Sequence, residues 1–225
     1  MQIPGLTQAH QDYLKAIYLL RSRGETASNS AIAQALGVSP ASATNMVKRL
    51  SEAGLIAYSP YQGVDLTPDG LHIALKVVRR HRLVELLLHE ILEMPWDSVH
   101  GEAERIEHAI SDAVEEAIAR KLGDPHFDPH GDPIPSRDGA LEVRAAQRPL
   151  SDLVIGETAA VARVLTQDSE RLRYFGSIGL YPGTQVTVIE QSPFDGPLLI
   201  EINGQQRILA HALAKSVGVT AGGGQ

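Results

Sequence analysis

Apolar residues at helical spacing open the chain. Tyr13, Leu14, Ile17, Tyr18 and Leu20 predict a helix capped at Thr7 and ended near Gly24. Residues 28–36 predict a short second helix. Gly37, Val38 and Ser39 then make a tight turn, and Ser39 with Pro40 caps and starts a third helix to about Ala53. Small alanines and the turn glycine let two helices cross closely, which is a helix-turn-helix pattern. The period next changes from helical to alternating. Residues 55–58 and 64–67 predict two short strands around the turn-rich Ser59, Pro60, Tyr61, Gln62 and Gly63, a winged hairpin. Thr67-Pro68-Asp69-Gly70 opens a long helix to about Leu92 that is apolar nearly all round, so it needs a dimer interface as well as a core to cover it. Beyond the break at Met94-Pro95-Trp96-Asp97, helices are predicted over roughly 98–109 and 113–122, followed by a non-helical loop over 124–139 rich in Pro and Gly.

From Ser151 the pattern turns to short β-prone runs at 158–165, 185–190, 197–202 and 206–209, separated by Pro-Gly, Asp-Gly and Asn-Gly turns, with a short helix over 170–178. The expected class is α+β. It comprises a winged helix-turn-helix over 1–72, a helical domain over 73–140, a linker over 141–151, a small SH3-like β-barrel over 152–219 and a disordered tail over 220–225.

Composition narrows the picture. The chain has 225 residues, 43% of them hydrophobic and 21% charged, an ordinary globular balance. No run of apolar residues suits a membrane span and no secretion signal opens the chain, so the cytoplasm is the expected compartment. There is no cysteine, which excludes disulfides, thiolate metal sites and iron–sulfur clusters. The net charge of −7 is unevenly spread: residues 1–82 hold nine Lys/Arg against five Asp/Glu, whereas residues 83–140 hold four against fourteen. A basic front and an acidic middle suggest an anion-binding module joined to a cation-binding one. On the third helix, Ser42, Thr44, Asn45, Lys48 and Arg49 form a polar face suited to a major groove, with Ser39, Pro40 and Ala41 at its start, while Tyr58, Tyr61 and Gln62 of the wing suit the phosphate backbone.

The acidic middle carries a metal-ligand pattern. Glu104, Glu107 and His108 stand at i, i+3 and i+4, with His100 one turn earlier, so a helix places all four along one stripe. A second pair, His81 and Glu85, stands at i, i+4 in the long apolar helix. A solvated acidic face is the ordinary alternative for one such cluster; two clusters point to ions held by oxygen and imidazole nitrogen. A metalloenzyme is disfavoured, because neither His-Glu-x-x-His nor a pair of Glu-x-x-His motifs occurs.

The winged helix-turn-helix, His81-x3-Glu85, the His100–His108 cluster, the Asp132-Pro-Ile-Pro135 loop and the small barrel together resemble the diphtheria toxin repressor family of metal-dependent transcriptional regulators, over essentially the whole chain. The resemblance implies a homodimer that binds palindromic double-stranded operators when loaded with iron(II) or manganese(II). It implies a primary metal site of Asp12, Glu104, Glu107 and His108, and an ancillary site of His81, Glu85 and His100, to which the barrel lends further ligands in the region of Asp168 and Glu170. Iron-responsive members place Met at the Asp12 position and Cys at the Glu104 position. The carboxylates here instead resemble the manganese branch and suit Mn(II). The expectation is therefore a manganese sensor, with an iron-responsive regulator, or a winged-helix regulator whose acidic cluster is only structural, as alternatives.

Two departures from the family are visible. Lys15 stands where the manganese branch uses a further Glu, so a second ion cannot be held in that branch's way. The family's anion pocket uses an Arg, matched by Arg82, and two polar loop residues, matched by Asp128 and Asp132, whose charges would repel an anion. Ordinary exposed turn chemistry is the plain expectation for that loop, a cation contact through Asp128, His126 or His130 the other. His89 is expected to be structural or at the surface. Without metal, the clustered charges are expected to repel one another and let the DNA-binding module swing.

Overall fold

The computed structural model describes residues 6–59, 63–142 and 146–221, so Tyr61 and the tail residues 222–225 lie outside the described residues. The chain divides into two compact units. One comprises residues 1–81, 107–110 and 135–140, the other residues 82–106, 111–134 and 141–225.

In the first unit, α1 (Gln8–Ser22), α2 (Asn29–Leu36) and α3 (Pro40–Glu52) precede a two-stranded antiparallel wing of β1 (Ile56–Ser59) and β2 (Gly63–Leu66). Ser39 caps α3 as the sequence implies, and Ser28, expected within the second helix, is its cap. Ser28 Oγ accepts from Ala31 N at 3.1 Å, Ser39 Oγ accepts from Ser42 N at 3.1 Å, and Gly37 ends α2 at φ 65°, where a side chain would be strained. Leu14, Ile17, Ile32, Leu50, Leu55 and Val64 fill the core. α4 (Pro68–Glu90) starts beneath the wing, with Thr67 Oγ1 donating to Gly54 O at 2.9 Å and accepting from Gly70 N at 3.2 Å. Gly70 is pressed so closely that a Cβ there would stand 1.9 Å from Leu55 O.

The second unit takes α4 from Arg82 onward and adds α5 (Val99–Ile106), α6 (Asp112–Lys121) and a six-stranded antiparallel sheet of the SH3-like type. Its strands are β3 (Gln147–Pro149), β4 (Thr158–Val164), β5 (Gln185–Gln191), β6 (Leu198–Ile202), β7 (Gln205–Leu209) and β8 (Val217–Ala221), in the order β3-β8-β4-β5-β6-β7. α7 (Ser169–Ser177) lies between β4 and β5, and the short α8 (His211–Ala214) between β7 and β8. Register shifts in β4 and β5 bend the sheet around a core that includes Phe175, Leu172, Val186, Leu198 and Ile200, and Trp96 joins that core from outside the sheet.

Three boundaries differ from expectation. The linker expected over 141–151 is strand from residue 147, and Leu150 is fully buried beneath it, because Gln147–Pro149 pair with β8. β8 itself had no clear signal: Val217-Gly218-Val219 is short, and its strand character comes from pairing with both β3 and β4. Thr220 and Ala221, expected in the tail, belong to it. Finally α5 ends at Ile106, so Glu107 and His108 lie in the turn that follows rather than on one helical stripe with His100 and Glu104.

α4 is buried along much of its length, yet Leu86 and Leu87 are half-buried and Ile91 and Leu92 just beyond it are exposed, Leu92 by 60%. Among the described residues no helix is long and apolar enough to cross a membrane.

Adding a methyl at Gly70 forces the backbone of Leu55 aside. Gly70→Ala is therefore expected to destabilise the first unit by about 1–3 kcal/mol. By contrast, a Cβ on Gly101, inside α5, meets nothing within 4 Å. Gly101→Ala is expected to stabilise by about 0.5–1 kcal/mol through the unfolded chain's lost freedom. Thermal melts of the two variants check both, and equal shifts would refute the packing at Gly70.

Candidate metal centres

The first unit gathers Asp12 from α1 with Glu107 and His108 from the turn after α5. One donor atom from each lies within 4.8 Å of the others. His108 Nε2 stands 2.7 Å from Asp12 Oδ1 and 3.1 Å from Glu107 Oε1. These are the distances of an ion pair between the imidazole and the two carboxylates. The other ring nitrogen explains the orientation: Nδ1 donates to Gln11 Oε1 at 2.7 Å, which turns Nε2 toward the carboxylates. Gln11 was not singled out in the sequence, although its place beside Asp12 on α1 was the available signal.

Glu107 is 1% exposed, and its charge is held by neighbours. Lys15 Nζ donates to Oε1 at 2.8 Å and Oε2 at 2.9 Å, and His81 Nδ1 stands 2.5 Å from Oε2. Burial alone would raise the carboxyl's pKa. Hydrogen bonds to His108 and His81 and the Lys15 charge outweigh it and hold the group well below the usual carboxylate range. Burial likewise works against charge on His108, but Asp12 and Glu107 outweigh it and lift its pKa to about 9. Positive groups from α1 and α4 balance the Glu107 carboxylate.

The second unit gathers Glu85, Asp128 and His130, all buried, with one donor atom from each again within 4.8 Å of the others. This corrects the expectation of exposed turn chemistry for the loop. Asp128 folds the loop on itself, its Oδ1 accepting from His130 N at 2.8 Å and Asp132 N at 2.9 Å. His130 Nε2 donates to Trp96 O at 3.0 Å and the two rings stack at 5.5 Å, so Nδ1 is left as a bare lone pair, fully buried and without a hydrogen bond, 4.0 Å from Glu85 Oε1. Burial lowers the pKa of His130, which favours the neutral ring that a cation requires. The Asp128 pKa is raised by burial and by the Glu85 and Asp132 charges, against the opposing charge of Arg82, so a cation would relieve this carboxylate pair.

The β-sheet holds the loop in place. Val164 N donates to His130 O at 2.9 Å, and Gly131, at φ 89°, lets the loop approach so closely that a Cβ would stand 2.2 Å from Ala162 O.

The expected ligand sets are redistributed. Of the primary four, Asp12, Glu107 and His108 come together in the first unit, while Glu104 lies half-exposed in the second, 3.8 Å from His100 Nε2. Of the ancillary three, His100 Nδ1 stands 2.9 Å from Glu85 Oε1, and His81 is engaged with Glu107. Asp168 caps α7 by accepting from Arg171 N at 2.9 Å, and neither it nor Glu170 joins a donor group among the described residues. Arg82 faces Asp128 at 3.6 Å and Asp132 at 3.9 Å and bonds to Pro133 O, which leaves no anion pocket of the expected kind there. His126 is exposed and pairs with Glu142 at 2.7 Å, and His89 Nδ1 contacts Met94 O at 3.1 Å. Each centre sets an imidazole, its far nitrogen fixed by a carbonyl oxygen, against carboxylates, which fits a divalent cation; His130 presents a bare buried nitrogen, whereas His108 would give up a proton to the ion.

On α3, Ala43, Val47 and Leu50 face the core, and Ala41, Ser42, Thr44, Asn45, Lys48 and Arg49 are exposed. Thr44 Oγ1 is held by Pro40 O at 2.9 Å and Asn29 Nδ2 at 3.1 Å. Tyr58 on the wing is 60% exposed.

Known proteins share this organisation. Residues 5–64 match the family "Iron dependent repressor, N-terminal DNA binding domain", residues 67–136 match "Iron dependent repressor, metal binding and dimerisation domain", and residues 148–221 match "FeoA domain". The diphtheria toxin repressor of Corynebacterium glutamicum is 33% identical over 95% of this chain and 96% of its own length. The chain belongs to the iron-dependent repressor family, that of the diphtheria toxin repressor. The family comprises metal-dependent transcriptional repressors and not enzymes. Another member, the iron-dependent repressor IdeR of Mycobacterium tuberculosis, is 33% identical over 95% of this chain and 97% of its own. Among solved structures, a manganese-dependent transcriptional repressor in complex with manganese superposes with a TM-score of 0.87 at 38% identity, covering 94% of this chain and 99% of the other. The manganese regulator SloR superposes at 0.77 with 31% identity, over 96% of this chain and 100% of its own.

The two shifted groups of the first cluster make stability depend on pH. His108 has a folded pKa raised to about 9 from 6.5, so its stabilisation is complete below 6.5 and is lost as pH rises through 9. Glu107 is depressed from 4.5, so its contribution is complete above that value and is lost on acidification. Melting temperature of chelator-treated protein is expected to peak between these limits and fall toward pH 9. In His108→Asn the alkaline decline should disappear; its persistence would remove His108 as the cause.

Proposed function

We propose that this protein is a manganese(II)-responsive repressor that acts in the cytoplasm and binds palindromic double-stranded DNA as a homodimer. Two centres on each chain sense the ion: Asp12, Glu107 and His108, and Glu85, Asp128 and His130 with His100. The observation that carries the reading is the convergence of His108 Nε2 on Asp12 Oδ1 at 2.7 Å and on Glu107 Oε1 at 3.1 Å, one imidazole between two carboxylates. Carboxylate oxygen and imidazole without thiolate or thioether suit Mn(II), and the likeness to the manganese-bound repressor supports that choice. Iron(II) is the second reading, favoured by the full-length likeness to iron-dependent repressors.

Regulation follows from where the donors stand in the chain. Asp12 lies within residues matched to the DNA-binding domain, and Glu107 and His108 within those matched to the metal-binding and dimerisation domain. A bound divalent ion supplies a shared positive centre for all three. Asp12 would thereby fix α1, and with it α3, whose exposed Ser42, Asn45, Lys48 and Arg49 enter the major groove, with Ser39, Pro40, Ala41 and Thr44 near the backbone or base edges. Exposed Ile91, Leu92, Ile106 and Val114 support a covered face on the dimerisation domain. In a dimer, two α3 helices roughly 34 Å apart would meet successive major grooves.

The test is binding of chelator-treated protein to DNA from upstream of a metal-transporter gene at fixed salt, titrated with Mn(II), Fe(II) and Zn(II). Mn(II)-dependent binding is expected, lost in Asp12→Ala with the circular dichroism unchanged, and His130→Ala should lower the ion count by one per chain. Binding that ignores every ion would overturn the reading. The double variant Asp12→Met, Glu104→Cys is expected to shift the preference toward Fe(II), read as the ratio of DNA affinities with the two ions.

A further inference from the structure

The Glu107 cluster contains a cation that the proposed function leaves without a role. Lys15 is only 6% exposed, and its Nζ is nearly equidistant from both Glu107 oxygens, 2.8 and 2.9 Å, so the ammonium sits astride the carboxylate. His81 Nδ1 also faces Oε2, at 2.5 Å. A carboxylate oxygen has two lone-pair directions. Those of Oε2 are both engaged, while Oε1 keeps one, turned toward His108 Nε2 at 3.1 Å. Lys15 therefore occupies the position from which a cation would take both oxygens of Glu107.

We propose that Lys15 is a built-in counter-cation that sets how tightly the Asp12, Glu107 and His108 cluster takes a divalent ion, an inference that rests on that cluster being a metal site. When no ion is bound, Lys15 compensates the buried carboxylate and keeps the cluster assembled. When an ion arrives, the ammonium stays against the shared carboxylate and opposes it by charge, and it leaves Glu107 one oxygen to offer. The same contact also holds Glu107 in a fixed rotamer, which favours binding. A divalent charge facing an ammonium across one carboxylate in a partly buried site outweighs the rotamer freedom of a single side chain. The net effect is to weaken the site and raise the ion concentration at which it fills. A sensor gains from this, because a site that binds too tightly is filled at every concentration and reports nothing.

The experiment titrates the chelator-treated full chain with manganese chloride, free Mn(II) being followed by its electron paramagnetic resonance. A His130→Ala background isolates one class of site. Lys15→Gln is expected to bind at least about tenfold more tightly, and Lys15→Arg, which keeps the charge, to remain within about threefold of the background. Without metal Lys15→Gln should melt lower, and Mn(II) should raise its melting temperature by more than it raises that of the background, since the ion takes over the compensation of Glu107. If Lys15→Gln does not fold alone, Mn(II) is expected to restore its circular dichroism, and failure to do so would overturn the proposal. Equal or weaker binding by Lys15→Gln would also overturn it, making Lys15 a support for Glu107. In the same background His108→Ala must abolish binding; if it does not, the cluster is not the site, and the proposed function fails before Lys15 is at issue.

Discussion

A carboxylate buried without a partner is among the most costly features a fold can contain, and Glu107 is 1% exposed. Its cost is met by two groups from distant parts of the sequence and by its own neighbour. Lys15 comes from α1, His81 from α4, and His108 from the next residue along. Once Glu107 is placed, Lys15 fixes the rotation of α1, which brings Asp12, one turn earlier on the same helix, to His108. Gln11 then fixes the imidazole ring. The arrangement of donors is thus a consequence of neutralising one buried charge, and the same residues that satisfy it link the DNA-binding part of the chain to the dimerisation part.

The second centre is built by a different route. Here the loop between α6 and the sheet carries Asp128 and His130, and it is held by backbone as much as by side chains. Trp96 O receives His130 Nε2, β4 donates to His130 O, and Gly131 permits the approach. The sheet therefore contributes to this centre as a clamp on the loop, whereas Asp168 is spent on capping α7. Trp96 lies against His130 and Tyr181, and so joins the centre to the core of the sheet.

Much of this was legible in the sequence, for identifiable reasons. The helix-turn-helix and wing declare themselves through caps, a turn glycine and a change of period, all of which act within a few residues. Ser28, Ser39 and Gly37 do in the structure what their types imply. The donor types at Asp12, Glu107 and His108 were equally visible, since the chain has no cysteine and no alternative but oxygen and nitrogen. The family resemblance added the roles of those positions.

What the sequence by itself determined was the order of elements from α1 to α6 and the class of ligand chemistry, because each depends on local propensity or on side-chain type; the part of Asp12 came from the family resemblance. Tertiary structure decided which of those residues share a site. It ended α5 before Glu107, paired His81 with Glu107, and placed Glu85 with Asp128 and His130. It also turned part of an apparent linker into β3, because pairing with β8 supplies what Gln147–Pro149 lack in intrinsic strand preference. The physical reason is common to all of these. Burial of charge and completion of backbone hydrogen bonds are satisfied by whatever group the fold brings near, and spacing along a chain carries no record of partners 26 or 92 residues away.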